Sequence, residues 1–354
     1  MLSASSNACD GGVPAPLAAI GAYGYLGVDL FFILSGYIIS YVYFEALTLG
    51  RPRDFAVFLW HRLIRLFPVH AVVLAGLVAL IAVARAKGIS LNAAANWNFG
   101  DIPWNLLLLH AWGVLETATW NMPSWSISAE WFAYLLFPLA VMAARHVPRA
   151  AALPAAALML LIATLVYQQA GWSIRDAWVG APALLRVESE FLCGLFLYRA
   201  LASAPRGWEI AGDVLAVAGL GGFVLLAERT PDDFVLIGCL AVLTFGVACN
   251  GPLVRRIAGS GLLVWLGEVS YSTYLVHFPL ILIAHRALDA AGWQLWSAAA
   301  QTGARVAIVV AVTAAAASLF YLVERPARRR SRDRFGRIGG GTRNLTPSDG
   351  TLRT

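Results

Sequence analysis

Leu26-Gly27-Val28-Asp29-Leu30-Phe31-Phe32-Ile33-Leu34-Ser35-Gly36-Tyr37-Ile38-Ile39-Ser40-Tyr41-Val42-Tyr43-Phe44 is an apolar run broken by one carboxylate, Asp29. As an α-helix it would reach about 28 Å, close to the roughly 30 Å hydrocarbon core of a bilayer. Eight more runs share this character: residues 66–84, 125–143, 150–167, 183–198, 210–227, 234–249, 262–284 and 306–323. They predict an all-α, polytopic membrane bundle with nine crossings. A tenth apolar stretch, residues 102–112, covers only about half of such a core.

Composition agrees. The chain is 59% hydrophobic and 13% charged, with a mean hydropathy of +0.69. Soluble chains run about 45–50% apolar and about 25% charged. A disordered chain, a collagen-like chain and a secreted disulfide scaffold are excluded. The net charge of +6 raises the question of nucleic acid, but its distribution argues against that partner. Lys87 is the one lysine among 26 basic residues, and the densest arginine run, 325–337, follows the last apolar segment. Basic residues flanking membrane segments mark the cytoplasmic side. The four cysteines are scattered and form no CxxC or His/Cys cluster, so no metal is expected.

With the arginine tail inside, Arg255, Arg256, Arg199, Arg206, Arg145 and Arg149 also fall inside, and Pro231-Asp232-Asp233 falls outside. Arg51, Arg53, Arg62 and Arg65 fall inside only if 102–112 does not cross. That stretch is therefore expected to be re-entrant or interfacial, within an outer loop 87–124. Bends at that depth are tolerated where protein buries them. Three regions follow: an extracytoplasmic stub, 1–24; a membrane domain, 25–325; and a disordered, Arg-rich cytoplasmic tail, 326–354. The stub has no signal-peptide pattern. An odd crossing count with this stub outside leaves two options, a tail-first first helix or a lost N-terminal helix.

Ionisable residues in apolar segments are costly, so they carry the functional expectations. Asp29 is either catalytic or a carboxylate placed at a helix N-terminus by the dipole. Glu130 follows Ser124-Trp125-Ser126-Ile127-Ser128, and Ser126 and Glu130 are i, i+4. Glu130 is expected in the site, whereas Ser124 is also a plain N-cap candidate. Arg186, Glu188 and Glu190 crowd one helix, and Arg186 with Glu190 is either a neutralising i, i+4 pair or a substrate contact. His277 lies at a depth similar to Glu130, with Tyr274 at i−3. A buried carboxylate and a histidine facing one cavity would suit proton transfer. Arg62 and Arg65, i, i+3, are either inner anchors or contacts for a phosphate-bearing ligand.

Taken together, the motifs resemble the acyltransferase 3 family of bacterial membrane proteins, whose members O-acetylate cell-surface glycans. The matching stretches begin with Gly27–Gly36 and Arg62-Leu63-Ile64-Arg65 with Pro68. Next come Pro123–Glu130 with Tyr134, Phe137 and Pro138, then Glu190–Gly194. The last are Leu266–His277 with Pro279, and Glu324-Arg325-Pro326. They stand in the family's order over about residues 24–326. The resemblance implies ten helices, an acyl donor (usually acetyl-CoA, as co-substrate rather than bound cofactor) taken from the cytoplasm, and a glycan or lipid-linked sugar acceptor outside. It places Arg62 and Arg65 on the donor. Trp125, Ser126, Arg186, Glu190, Tyr271 and Tyr274 are the expected acceptor contacts, with Glu130, His277 and Asp29 as catalytic candidates. The family's first helix carries an Arg, ten residues, then a His. No Arg here has a His eleven positions later, so the expectation is a truncated member, inactive or nearly so. The reading is a membrane O-acyltransferase of the bacterial inner membrane, with a transporter or a catalytically dead member as alternatives.

Overall fold

The computed structural model describes residues 21–89, 94–202, 207–227, 229 and 232–335. Among them there are helices and no strand. All nine apolar runs lie in helices. We label the helices α1 (Gly27–Leu47), α2 (Pro52–Ala86), α3 (Ile102–Leu106), α4 (Trp125–Ala144), α5 (Ala152–Ala170), α6 (Gly180–Leu201), α7 (Glu209–Ala227), α8 (Asp233–Ala248), α9 (Pro252–Ala258), α10 (Gly261–Ala290), α11 (Ala298–Leu319) and α12 (Arg325–Phe335).

Among the described residues seven helical spans are long and apolar enough to cross a membrane, or eight if α8 and α9, bent by 96°, form one broken span. The ninth run lies in α6, which has the length but carries Arg186, Glu188, Glu190 and Arg199. Large apolar side chains face outward along the spans: Leu322 is 77% exposed, Ile210 72% and Leu139 65%. A water-soluble bundle would bury such side chains. The chain is a multi-pass membrane protein.

Glycines set two of the tightest helix contacts. A Cβ at Gly36 of α1 would fall on the Phe191 carbonyl, and one at Gly194 of α6 on the Ile33 carbonyl. The two backbones meet with nothing between them, as small residues permit in membrane bundles. Gly212, Gly219 and Gly246 do the same between α7 and α8. Asp213 of α7 accepts from the backbone N–H of Leu253 (2.8 Å) and Val254 (3.1 Å), capping the first turn of α9.

Among the described residues of 87–124 there is no continuous helix that could cross. The five-residue α3 is followed by a single π-turn, His110–Val114, with Gly113 at φ 89°. Leu108 and Trp120 also take positive φ. Five residues rise about 7.5 Å, far short of the bilayer core. Leu108, His110 and Ala111 are buried, and α4 satisfies backbone groups there: Ser128 Oγ accepts from Ala111 N–H (3.0 Å) and donates to the Leu108 carbonyl (2.8 Å). Trp112 Nε1 donates to the Ser128 carbonyl at 2.9 Å.

The tail departs from expectation in its first part. Residues 326–335 continue as helix α12 rather than as disordered chain, after a π-turn at Phe320–Glu324. Pro326 follows that π-turn after Arg325, and Arg328 pairs with Glu324 one turn back at 3.3 Å. The rest of the tail, 336–354, and nearly all of the stub, 1–20, lie outside the described residues.

Gly194→Ala should destabilise the protein by about 1–3 kcal/mol, the usual overpacking cost, in thermal unfolding of detergent-solubilised protein. Gly76→Ala, where a Cβ meets nothing within 4 Å, should be neutral or stabilising. Equal responses at both sites would contradict the close α1–α6 contact.

Candidate active site

α4 carries a ladder of polar residues into the bundle, and different neighbours receive each rung. Glu130 is fully buried. Its Oε1 accepts from Ser35 Oγ of α1 at 2.5 Å and from the Tyr134 hydroxyl one turn along α4. Its Oε2 has no partner among the described residues. Arg62 and Arg65 of α2 lie within electrostatic range. The Arg62 guanidinium stands over the rings of Tyr43 (5.3 Å) and Tyr134 (5.9 Å), and donates to the Tyr43 hydroxyl at 3.5 Å.

Arg65 turns the other way. It pairs with Glu324, whose second oxygen accepts from Ser272 Oγ at 2.8 Å. Its guanidinium lies 5.1 Å from the centre of the Tyr271 ring, and the Tyr271 hydroxyl donates to the Leu66 carbonyl at 2.5 Å. The two arginines thus flank one half-buried region, but only Arg65 has an acidic partner in an ion pair. Arg62 is held by aromatic faces and one phenol, leaving guanidinium donors for an incoming anion.

Asp29 and Arg186 come together as a bidentate pair between α1 and α6: Nε to Oδ1 at 2.7 Å and Nη2 to Oδ2 at 2.6 Å. The remaining Arg186 nitrogen donates to the Ile174 carbonyl at 2.9 Å, and the guanidinium covers Trp125 at 5.2 Å. Arg186 therefore binds Asp29 across helices instead of simply neutralising Glu190 along its own. Glu190 lies within electrostatic range of both members of the pair. Trp125 is enclosed by Arg186 on one side and by the edge of Phe32 on another.

Ser126 donates to the Tyr274 hydroxyl of α10 at 2.9 Å, and that hydroxyl donates to the Pro123 carbonyl at 2.8 Å. His277 bonds the Tyr274 carbonyl on its own helix through Nδ1 at 2.6 Å. Glu130 and Ser126 thus face different helices, α1 and α10, although both lie on α4. Neither Glu130 oxygen has a hydrogen bond to His277 in the structure; Tyr274 stands beside His277, with its ring 5.8 Å away. Ser124 makes no side-chain cap. Its hydroxyl donates to the Asn121 carbonyl at 2.6 Å and lies 3.1 Å from His110 Nε2.

That last contact belongs to a buried polar layer that the sequence reading missed. His70 of α2 and His110 of the loop stack with centroids 6.3 Å apart. Asn105, Thr119, Asn121 and Ser124 surround them, all buried. The available signal was His70 itself, an ionisable residue inside the apolar run 66–84.

A family model described as an acyltransferase domain matches residues 10–323. Acyltransferase MdmB of Streptomyces mycarofaciens is 27% identical over 340 residues, 88% of this chain and 83% of that protein. YrhL of Bacillus subtilis (strain 168), named as a peptidoglycan O-acetyltransferase, is 24% identical over 349 residues, 89% of this chain. The chain spans 52% of that relative's length. BcsY of Komagataeibacter xylinus, named as a membrane-bound transacylase, is 27% identical over 286 residues, 74% of this chain and 67% of its own. No solved structure matches.

Removing Asp29 would leave the Arg186 guanidinium buried and unpaired by an acidic side chain in contact. Asp29→Ala should cost about 3–5 kcal/mol in reversible unfolding, with Asp29→Leu combined with Arg186→Met recovering most of it. A single variant as stable as the parent would contradict a structural role for the pair.

Proposed function

The chain belongs to the acyltransferase-domain family, and from that premise we propose that it transfers an acyl group, such as acetyl, from acyl-CoA to a glycan hydroxyl. The acyl-CoA comes from the cytoplasmic side of the bacterial inner membrane, and the glycan or lipid-linked sugar from the other side. The observation that carries this reading is the placement of Arg62, with no acidic side chain in contact and held over two tyrosine rings, beside the buried carboxyl of Glu130.

In this reading Arg62 and Arg65 receive the donor's phosphates. A guanidinium presents several donors in a planar fork, suited to a phosphate's oxygens. Arg65 exchanges part of its bond to Glu324 for the ligand, while Ser272 and Arg328 keep that carboxylate occupied. Glu130, with one unpartnered oxygen, handles a proton next to the reacting thioester. Ser126, Tyr274, His277 and Tyr271 lie on the faces of α4 and α10 that would meet the acceptor. Asp29, Arg186 and Trp125 hold α1, α4 and α6 in place around them. The name of the peptidoglycan relative supports a cell-surface acceptor.

Arg62→Ala should raise the KM for acetyl-CoA about tenfold or more, the scale of a lost charge-assisted hydrogen bond. Arg62→Lys should not restore it fully. Glu130→Gln should leave donor affinity intact and lower transfer by about 10²–10⁴. Labelled acetyl-CoA and native membranes measure both. Unchanged donor kinetics in the Arg62→Ala, Arg65→Ala double variant would refute the donor assignment.

A further inference from the structure

The buried layer around His70 contains side-chain acceptors that have no hydrogen-bond partner among the described residues. His70 is fully buried, and its Nε2 lies 2.8 Å from the Asn105 carbonyl. A carbonyl only accepts, so Nε2 carries the proton and Nδ1 is a bare lone pair. That Nδ1 has no partner among the described residues.

The same logic orients both amides. Asn105 Nδ2 donates to the Asp101 carbonyl and to Thr119 Oγ1, each at 3.0 Å. Asn121 Nδ2 donates to the Leu275 carbonyl at 3.1 Å. The opposite atoms are therefore acceptors, and Asn105 Oδ1 and Asn121 Oδ1 are likewise unpartnered. Buried polar atoms are nearly always satisfied. Four in this layer are not, these three acceptors and His110 Nδ1, and the acceptors call for an occupant that donates.

We propose that His70, Asn105 and Asn121 bind the acceptor's alcohol hydroxyls, with His70 Nδ1 taking the proton of the one that reacts. This rests on the acyl-transfer reading above. A cation would also satisfy acceptors, but no carboxylate belongs to the layer. Among the described residues no group of three or more His, Cys, Asp or Glu could hold a metal ion. Phosphates and carboxylates are excluded because they bring further acceptors. A sugar brings several hydroxyls on one rigid ring.

The placement suits transfer. His70 follows Arg65 by five residues on α2, about 7.5 Å at helical rise, so one helix links the donor's arginines to the proposed base. His110 stacks on His70 from the loop, and Ser124 fixes that ring. In the step, the hydroxyl oxygen forms a bond to the acyl carbon while its proton passes to Nδ1. The carbon–sulfur bond then breaks, and the departing thiolate leaves with that proton as CoA thiol.

The test uses the full chain in native membranes that contain its acceptor, with labelled acetyl-CoA. His70→Ala should bind acetyl-CoA as the parent does and lose transfer by about 10²–10⁴-fold. Imidazole added to the buffer should restore part of the rate by occupying the vacated space; His70→Phe, which leaves no such space, should not respond. Should His70→Ala lose donor binding, a sign of misfolding, His70→Gln decides, because its amide still donates to the Asn105 carbonyl without a basic nitrogen. A hundredfold loss of transfer in that variant upholds the assignment. Parental transfer in a folded His70 variant overturns it, as does a loss in His70→Ala that imidazole leaves unchanged. If the parent chain neither binds acetyl-CoA nor labels the glycan, the acyl-transfer reading itself fails.

Discussion

Hydrocarbon offers no hydrogen bond, so every polar group carried into the bilayer must be met by another part of the protein. α4 carries more of them than a simple anchor would: Ser124, Ser126, Ser128, Glu130 and Tyr134. Each is met from a different direction. Ser128 supports the irregular loop, Ser126 engages α10, and Glu130 engages α1. The Tyr134 ring stands beneath Arg62 of α2. Satisfying one helix thus determines the position of three others and of the loop. The matching is incomplete at several places, among them Glu130 Oε2, both Glu190 oxygens and the layer around His70, where buried polar atoms have no partner among the described residues.

The same constraint explains why α6, with four charged residues, packs at the centre of the bundle. Its Gly194 allows α1 to approach to backbone contact. At that distance Asp29 reaches Arg186 in bidentate geometry, with both side chains almost fully excluded from solvent. A buried ion pair adds little net stability compared with apolar packing, but losing one partner is costly. The pair therefore fixes which face of α6 meets α1. The two contacts reinforce each other, one by shape and one by charge.

Much of this was legible in the sequence. The nine apolar runs locate the nine long helices found among the described residues, the cost of burying charge pointed to Asp29, Glu130 and Arg186, and i, i+3 spacing pointed to Arg62 with Arg65. What sequence could not supply was partnership. Spacing offered Glu190 to Arg186 along one helix, whereas a long arginine side chain reaches Asp29 on another. Arg62 and Arg65 share a face by spacing, yet their neighbours draw them apart, toward tyrosines on one side and Glu324 on the other. Asn105 lies in a five-residue helix and His110 and Asn121 in a turn and irregular chain, all too short for a periodicity to mark a buried position. Residues 326–335 have no apolar pattern because their helix continues α11 and is held by charge, through Arg328 and Glu324. Family membership favours the enzyme over the transporter reading, because the matched model is that of an acyltransferase.

In the proposed reaction donor and acceptor meet within this bundle from opposite faces of the membrane. Sealed vesicles of known orientation, carrying the protein and its glycan, test it directly. Labelled acetyl-CoA supplied only to the cytoplasmic face should label glycan on the opposite face, and the same donor supplied only to the glycan's face should not. Equal labelling from either face, or labelling only when donor and glycan share one, would contradict the account.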